Sequence, residues 1–107
     1  MPRPAAASDV FHAIADPTRR RMLEMLRDAE RPAGEIARSF RMSQPSVSQH
    51  LRVLRNAGLV RTRRAGRNRL YQIRPRKLRA VVEWVAHFDK FWDDKLAALG
   101  EYLKENA

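Results

Sequence analysis

The chain has 107 residues, enough for one domain with a single core and too few for a second. It contains no cysteine, which excludes a disulfide framework, thiolate metal ligation and thiol redox sensing. Its formal net charge of +10 points to a polyanionic partner, while its short apolar runs offer no membrane span and no secretory signal, so a soluble cytoplasmic protein is expected.

Residues 1–7, with prolines, alanines and one arginine, read as a flexible N-terminal arm ahead of a single domain over 8–107. Ser8 is a candidate cap for a short apolar helix carrying Val10, Phe11 and Ile14, which is too short to stand alone. Asp16-Pro17 starts a second helix, the aspartate as cap and the proline at the first helical position, with Met22, Leu23 and Leu26 facing inward. A polar connection over 28–32 leads to a third helix over 33–40, where Ile36, Ala37 and Phe40 form the inner face.

The stretch Ser43 to Asn56 organises the rest. Val47, Leu51 and Leu54 recur at i, i+4 and i+7 and line one stripe of a helix. The opposite faces carry Gln44, Ser46, Ser48, Gln49 and Arg52, short hydroxyls and amides suited to base edges and phosphates. Ser43 can cap this helix, and because Pro45 has no N–H the capped donor should be the Ser46 amide. Asn56 or Gly58 supplies a left-handed exit. Two short helices joined by a tight turn, the second with a polar outer face, form the helix-turn-helix arrangement.

After Gly58 the pattern changes from helical to alternating. Residues 59–64 and 68–74 read as two strands, with Ala65-Gly66-Arg67 between them as a hairpin turn. Of the neighbours Leu70 and Tyr71, only one can face the core. Between Arg61 and Arg79 stand 9 basic residues and no acidic one, a density that repels itself unless a polyanion neutralises it. A hairpin bearing Arg63, Arg64, Arg67 and Arg69 directly after a polar helix is a wing, with guanidinium groups for phosphates or a minor groove.

From Pro75 an apolar stripe of Leu78, Val81, Val82, Val85, Phe88, Trp92, Leu96, Leu99 and Leu103 predicts one long helix over about 75–104. The acids Asp89, Asp93 and Asp94 read as part of its exposed face. So small a domain cannot cover that stripe itself. A two-fold dimer is therefore expected, built from Val85, Phe88, Trp92, Leu96 and Leu99 with Val10, Phe11 and Ile14 of the first helix. The charge is divided accordingly: residues 1–79 carry 19 Lys and Arg against 6 Asp and Glu, whereas residues 80–107 carry 3 against 6.

In order along the chain, Ala15-Asp16-Pro17-Thr18-Arg19-Arg20, Gly34-Glu35-Ile36-Ala37, Ser43 through Val60, and Arg64-Ala65-Gly66-Arg67 with Leu70-Tyr71-Gln72-Ile73 resemble the ArsR/SmtB family of bacterial winged-helix transcriptional repressors. The resemblance implies a mainly α fold of five helices and one β-hairpin, a homodimer through the first and last helices, and operator DNA contacted by Ser43, Gln44, Ser46, Ser48, Gln49, His50 and Arg52. His50 has a second reading, packing between that helix and the wing. The positions resembling the family's metal ligands hold Pro32 and Gly34 before the third helix, and Pro75, Lys77, Phe88 and Phe91 along the last. No metal site carries over, which implies a non-metal-sensing member with no cofactor, responding to an unknown small-molecule effector or to none.

The function expected is sequence-specific repression by a dimer on double-stranded DNA, at an inverted repeat and with autoregulation. The alternative is a sequence-neutral nucleoid or RNA-binding protein that uses only the basic wing. An enzyme is not expected, because Asp89, Asp93 and Asp94 near His87 lack a nucleophile pair, a glycine-rich loop or a cleft.

Overall fold

The computed structural model describes the backbone of residues 6–106. In chain order it contains α1 (Ala6–Ile14), α2 (Pro17–Asp28), β1 (Arg31–Pro32), α3 (Ala33–Phe40), α4 (Gln44–Asn56), β2 (Val60–Ala65), β3 (Asn68–Ile73), a 3-10 turn (Pro75–Leu78), α5 (Arg79–Ala86) and α6 (Asp89–Glu105). This is a winged helix-turn-helix. Residues 1–5 of the expected arm lie outside the described residues, while Ala6 is already helical, so Ser8 sits inside α1 and does not start it.

Asp16 and Pro17 behave as expected. The Asp16 carboxylate accepts the Arg19 amide at 3.0 Å and Pro17 occupies the first turn of α2. Arg19 and Arg20 have a role that their side-by-side spacing did not suggest. Arg19 Nε donates to the Ala13 carbonyl at 2.7 Å and Arg20 Nη1 to the Ile14 carbonyl at 2.8 Å, so α2 supplies the caps for the unsatisfied end of α1.

Both turns around α4 are Schellman closures. Gly58, at φ 77°, lets the Leu59 amide donate to Leu54 at 3.0 Å and its own amide to Arg55 at 2.9 Å. Before α4, the Met42 amide donates to Ala37 at 3.1 Å and Arg41 takes the left-handed position at φ 54°. A glycine would hold that conformation without the steric cost of about 1–2 kcal/mol.

The core gathers around the helix-turn-helix. Val10, Met22, Ile36, Val47, Leu51, Leu54 and Leu59 are the largest fully buried side chains. Val10 is thus corrected: at 1% exposure it fills the protomer's own core and is not available to a partner. Phe11 and Ile14, half-buried, flank it.

The wing belongs to a three-stranded antiparallel sheet, ordered β1-β3-β2. Its third strand, β1, whose Arg31 and Pro32 pair with Tyr71 and Leu70 of β3, lies in the stretch expected to be a polar connection. Two residues are too few to show alternation, and a proline is tolerated because β1 is an edge. β2 and β3 pair from Val60↔Ile73 to Ala65↔Asn68, leaving Gly66 and Arg67 as a two-residue loop with Gly66 at φ 63°. Tyr71 and Ile73 pack on the core, so of the neighbours Leu70 and Tyr71 it is Tyr71 that faces inward.

The single C-terminal helix is also corrected. It breaks at His87 and Phe88, where the His87 and Phe88 amides donate three residues back, to Trp84 at 3.1 Å and Val85 at 2.9 Å, and Phe88 adopts φ −109°, ψ 13°. The His87 ring folds back onto the Glu83 and Trp84 carbonyls, with Nδ1 at 3.0 and 3.3 Å. The apolar stripe runs straight through the break, which hid it from periodicity. Among the described residues none after Arg79 is buried. The radius of gyration is 18.3 Å, against about 13 Å for a compact chain of this length, because α6 leaves the body of the domain.

Candidate nucleic-acid interface

Ser43 caps α4 through the Ser46 amide at 3.3 Å, the donor that Pro45 leaves available. The two hydroxyls also meet, at 3.0 Å. Ser43, Gln44, Ser46, Ser48, Gln49 and Arg52 are all exposed, and α4 contains no carboxylate. A Cβ on Gly34 would come within 3.1 Å of Gln44 Nε2, so this glycine in α3 leaves room for the Gln44 side chain. One helix therefore presents a short, acid-free polar surface whose first turn is fixed by α3 and by its own cap.

His50 does not belong to that free surface. It is half-buried, and its Nδ1 lies 3.4 Å from Arg19 Nη1. The same guanidinium holds the end of α1, its Nη2 donating to His12 O at 3.1 Å. Next to the fully buried Leu51, His50 sits at the edge of the inward stripe, with its ring against Arg19 of α2. The Arg19 amide, followed by the Arg19 charge and His50, draws the nearby Asp16 carboxyl below the ordinary carboxylate range.

The wing divides its arginines by strand alternation. Arg64 and Arg69 are cross-strand partners, on the face shared with Val60, Thr62, Tyr71 and Ile73, and Arg67 stands at the loop. Like charges directly opposite one another are unfavourable unless an anion lies between them. Arg61 and Arg63 point to the other face. There the Arg63 guanidinium forms a two-pronged ion pair with Glu30, one contact being Nε to Oε2 at 2.8 Å. Arg63, expected among the phosphate contacts, is thereby separated from Arg64, Arg67 and Arg69.

Glu30 is the residue the sequence reading overlooked. It also accepts from Gln72 Nε2, and Gln72 in turn accepts from Arg61 Nε at 2.9 Å. Arg63, then Gln72, hold the Glu30 carboxyl below its ordinary range, and Arg63 is raised in return. The only hint in the sequence is an acid beside so basic a region, and its partners lie 33 and 42 residues away.

At the far end of α4, about 20 Å from Ser43 at 1.5 Å per residue, Gly58, Arg74, Arg76, Lys77 and Arg79 line a hollow of about 450 Å³. Along α5 and α6, ten large apolar side chains from Val82 to Leu103 are 41–67% exposed, among them Val85, Phe88, Trp92, Leu96 and Leu99. Trp84 stacks edge-on against Phe11 of α1 at 6.0 Å, which joins the two helices into one apolar surface. Among the described residues no group of three His, Asp or Glu could hold a metal ion, and no helix is long and apolar enough to cross a membrane.

The family model for bacterial regulatory proteins of the arsR family matches residues 16–62, from the Asp16 cap into β2. The transcriptional repressor SdpR of Bacillus subtilis is 36% identical over 89 residues, covering 83% of this chain and 99% of that protein. A crystallographic ArsR-family transcriptional regulator superposes with a TM-score of 0.73 at 34% identity, over 86% of this chain and 95% of its own. The homodimeric winged helix-turn-helix DNA-binding domain of a Mycobacterium bovis protein superposes at 0.65 with 31% identity, over 78% and 81%.

Proposed function

The chain belongs to the arsR family of bacterial regulatory proteins, and we propose that it represses transcription as a homodimer bound to an imperfect inverted repeat, its own promoter included. The observation that carries this reading is the acid-free outer face of α4, followed directly by a wing whose Arg64 and Arg69 face each other without an acid between them. Ser43, Gln44, Ser46, Ser48 and Gln49 face base edges and backbone in the major groove, with Arg52 beside them. Arg64, Arg67 and Arg69 take flanking phosphates or a minor groove. His50 positions α4 from behind.

The exposed stripe of α5 and α6, with Phe11 and Ile14, pairs with its counterpart in a second copy, a reading supported by the homodimeric state of the similar Mycobacterium bovis domain. Pairing fixes two copies of α4 about one helical turn apart, roughly 34–36 Å, so the operator mirrors the two-fold axis. Because Pro32, Gly34, Pro75, Lys77, Phe88 and Phe91 stand where the family's metal ligands would, the signal is not a metal held at those positions.

The test is titration of the DNA upstream of the gene against a scrambled duplex at physiological salt. Preference for the upstream duplex by at least about 10³-fold is expected of a specific binder. Equal affinity would instead identify a sequence-neutral nucleic-acid-binding protein. Variants separate the two mechanisms: Gln44→Ala and Ser48→Ala change base preference, whereas Arg67→Ala weakens every duplex alike and lowers the salt slope by about 1.

A further inference from the structure

We propose that Glu30 is a positioning residue for DNA recognition: it straps the outer face of the wing to the body of the domain, and Arg63 is the buckle of that strap, not a phosphate ligand. The inference rests on the repressor reading above but on a different set of atoms. Glu30 leaves the end of α2, 27% exposed, and engages both wing strands at once, taking Arg63 from β2 and Gln72 from β3. Arg61 extends the strap by donating to Gln72 at 2.9 Å. Beside it, β1 pairs with β3 through Arg31 and Pro32 only, so backbone pairing ties the hairpin to the body over just two residues.

An exposed ion pair alone would add little. This one is bidentate and shares its carboxylate with a third donor, which gives it geometric definition as well as charge. A two-stranded hairpin hinged at one end moves its tip furthest. A strap at Arg63 and Gln72 therefore sets where Arg64, Arg67 and Arg69 arrive relative to α4.

The sign of the effect distinguishes this from simple electrostatics. Removing a carboxylate next to a DNA-binding surface should strengthen binding to any duplex. If Glu30 is a strap, E30A instead weakens binding to the upstream duplex by about tenfold, leaves binding to scrambled duplex unchanged or stronger, and keeps a cooperative melt.

R63A gives the same operator-specific loss with an unchanged salt slope, whereas loss of a phosphate ligand would lower the slope by about 0.9. The charge swap E30R with R63E, which preserves net charge and the pair, restores most of the operator affinity. Hydrogen exchange on the free protein provides a readout that needs no DNA: amides of β2 and β3 toward the tip exchange at least about fivefold faster in E30A and return toward wild type in the swap.

Stronger operator binding by E30A, a slope reduced in R63A, no rescue by the swap, or unchanged wing exchange would each overturn the proposal. If wild-type protein shows no operator preference while wing exchange still follows the pair, the repressor reading fails and the strap stands.

Discussion

The two parts of this molecule spend similar apolar side chains in opposite ways. From Val10 to Val60, valines, leucines and isoleucines close into a core in which seven large side chains are fully buried. From Val82 to Leu103, tryptophans, phenylalanines and leucines stand 41–67% exposed on two helices. A compact domain saturates its own surface, whereas a stripe of this size left in water marks an interaction surface, which the proposed dimer covers with a second copy. Charge follows a similar division, since residues 1–79, which hold the core and the wing, carry the basic excess and residues 80–107 are net acidic. The polar helix and wing thus sit on the buried core, and in the proposed dimer the exposed arm sets the spacing between two such supports.

The comparison breaks first at the arm. Changing Trp92 and Leu99 together to glutamate should abolish dimerisation in analytical ultracentrifugation and weaken binding to a full inverted repeat by about 10²- to 10⁴-fold, through loss of the linked second half-site. A half-site duplex should feel little of this, because the core half is untouched. If both duplexes weaken equally, the arm contributes to folding rather than to pairing.

Leu51→Ala is the converse. It should cost about 2–5 kcal/mol of unfolding free energy in a denaturant titration, as truncations of fully buried leucines do, at concentrations where the dimer is fully formed. Leu96→Ala, at 64% exposure, should instead shift stability only as protein concentration falls through the dimer range.

Smaller effects sharpen the description of the support. Gly58→Ala forces a side chain onto φ 77° and against Lys77 Cδ at 2.9 Å, for an expected loss of about 1–2 kcal/mol. Arg41→Gly relieves the left-handed strain at the helix-turn-helix turn and should raise stability by up to about 1 kcal/mol. Ser43→Ala removes a cap worth about 1 kcal/mol, and melting temperatures rank all three.

Acid provides the finest probe. Asp16 and Glu30 have folded pKa values held below the ordinary carboxylate range, so their stabilisation is present above that range and is lost as pH falls through the lowered values. Melting temperature should decline in that window. Asp16→Asn should lower it at neutral pH and flatten the acid decline.

Much of the first part was legible because its signals are local. Asp16-Pro17, Ser43 with Pro45, the i, i+4, i+7 stripe of α4 and the alternation after Gly58 each depend on neighbours within a turn or a hairpin, and each lies where the sequence places it. What escaped depends on distant partners. Glu30 finds Arg63 and Gln72 across the fold, His50 finds Arg19 31 residues earlier, and Val10 is claimed by the protomer's core. The break at His87 was invisible for another reason: the apolar stripe continues across it, and the carbonyls are met by a histidine ring, not by a glycine or proline that would mark the stop.

The most direct measurement is the mass of the complex that forms on a duplex carrying the upstream inverted repeat. Two chains of 12.4 kDa per duplex are predicted, with the same stoichiometry down to the lowest concentration at which the duplex is bound. A complex holding one chain at saturation, or an identical complex on scrambled DNA, would contradict the account.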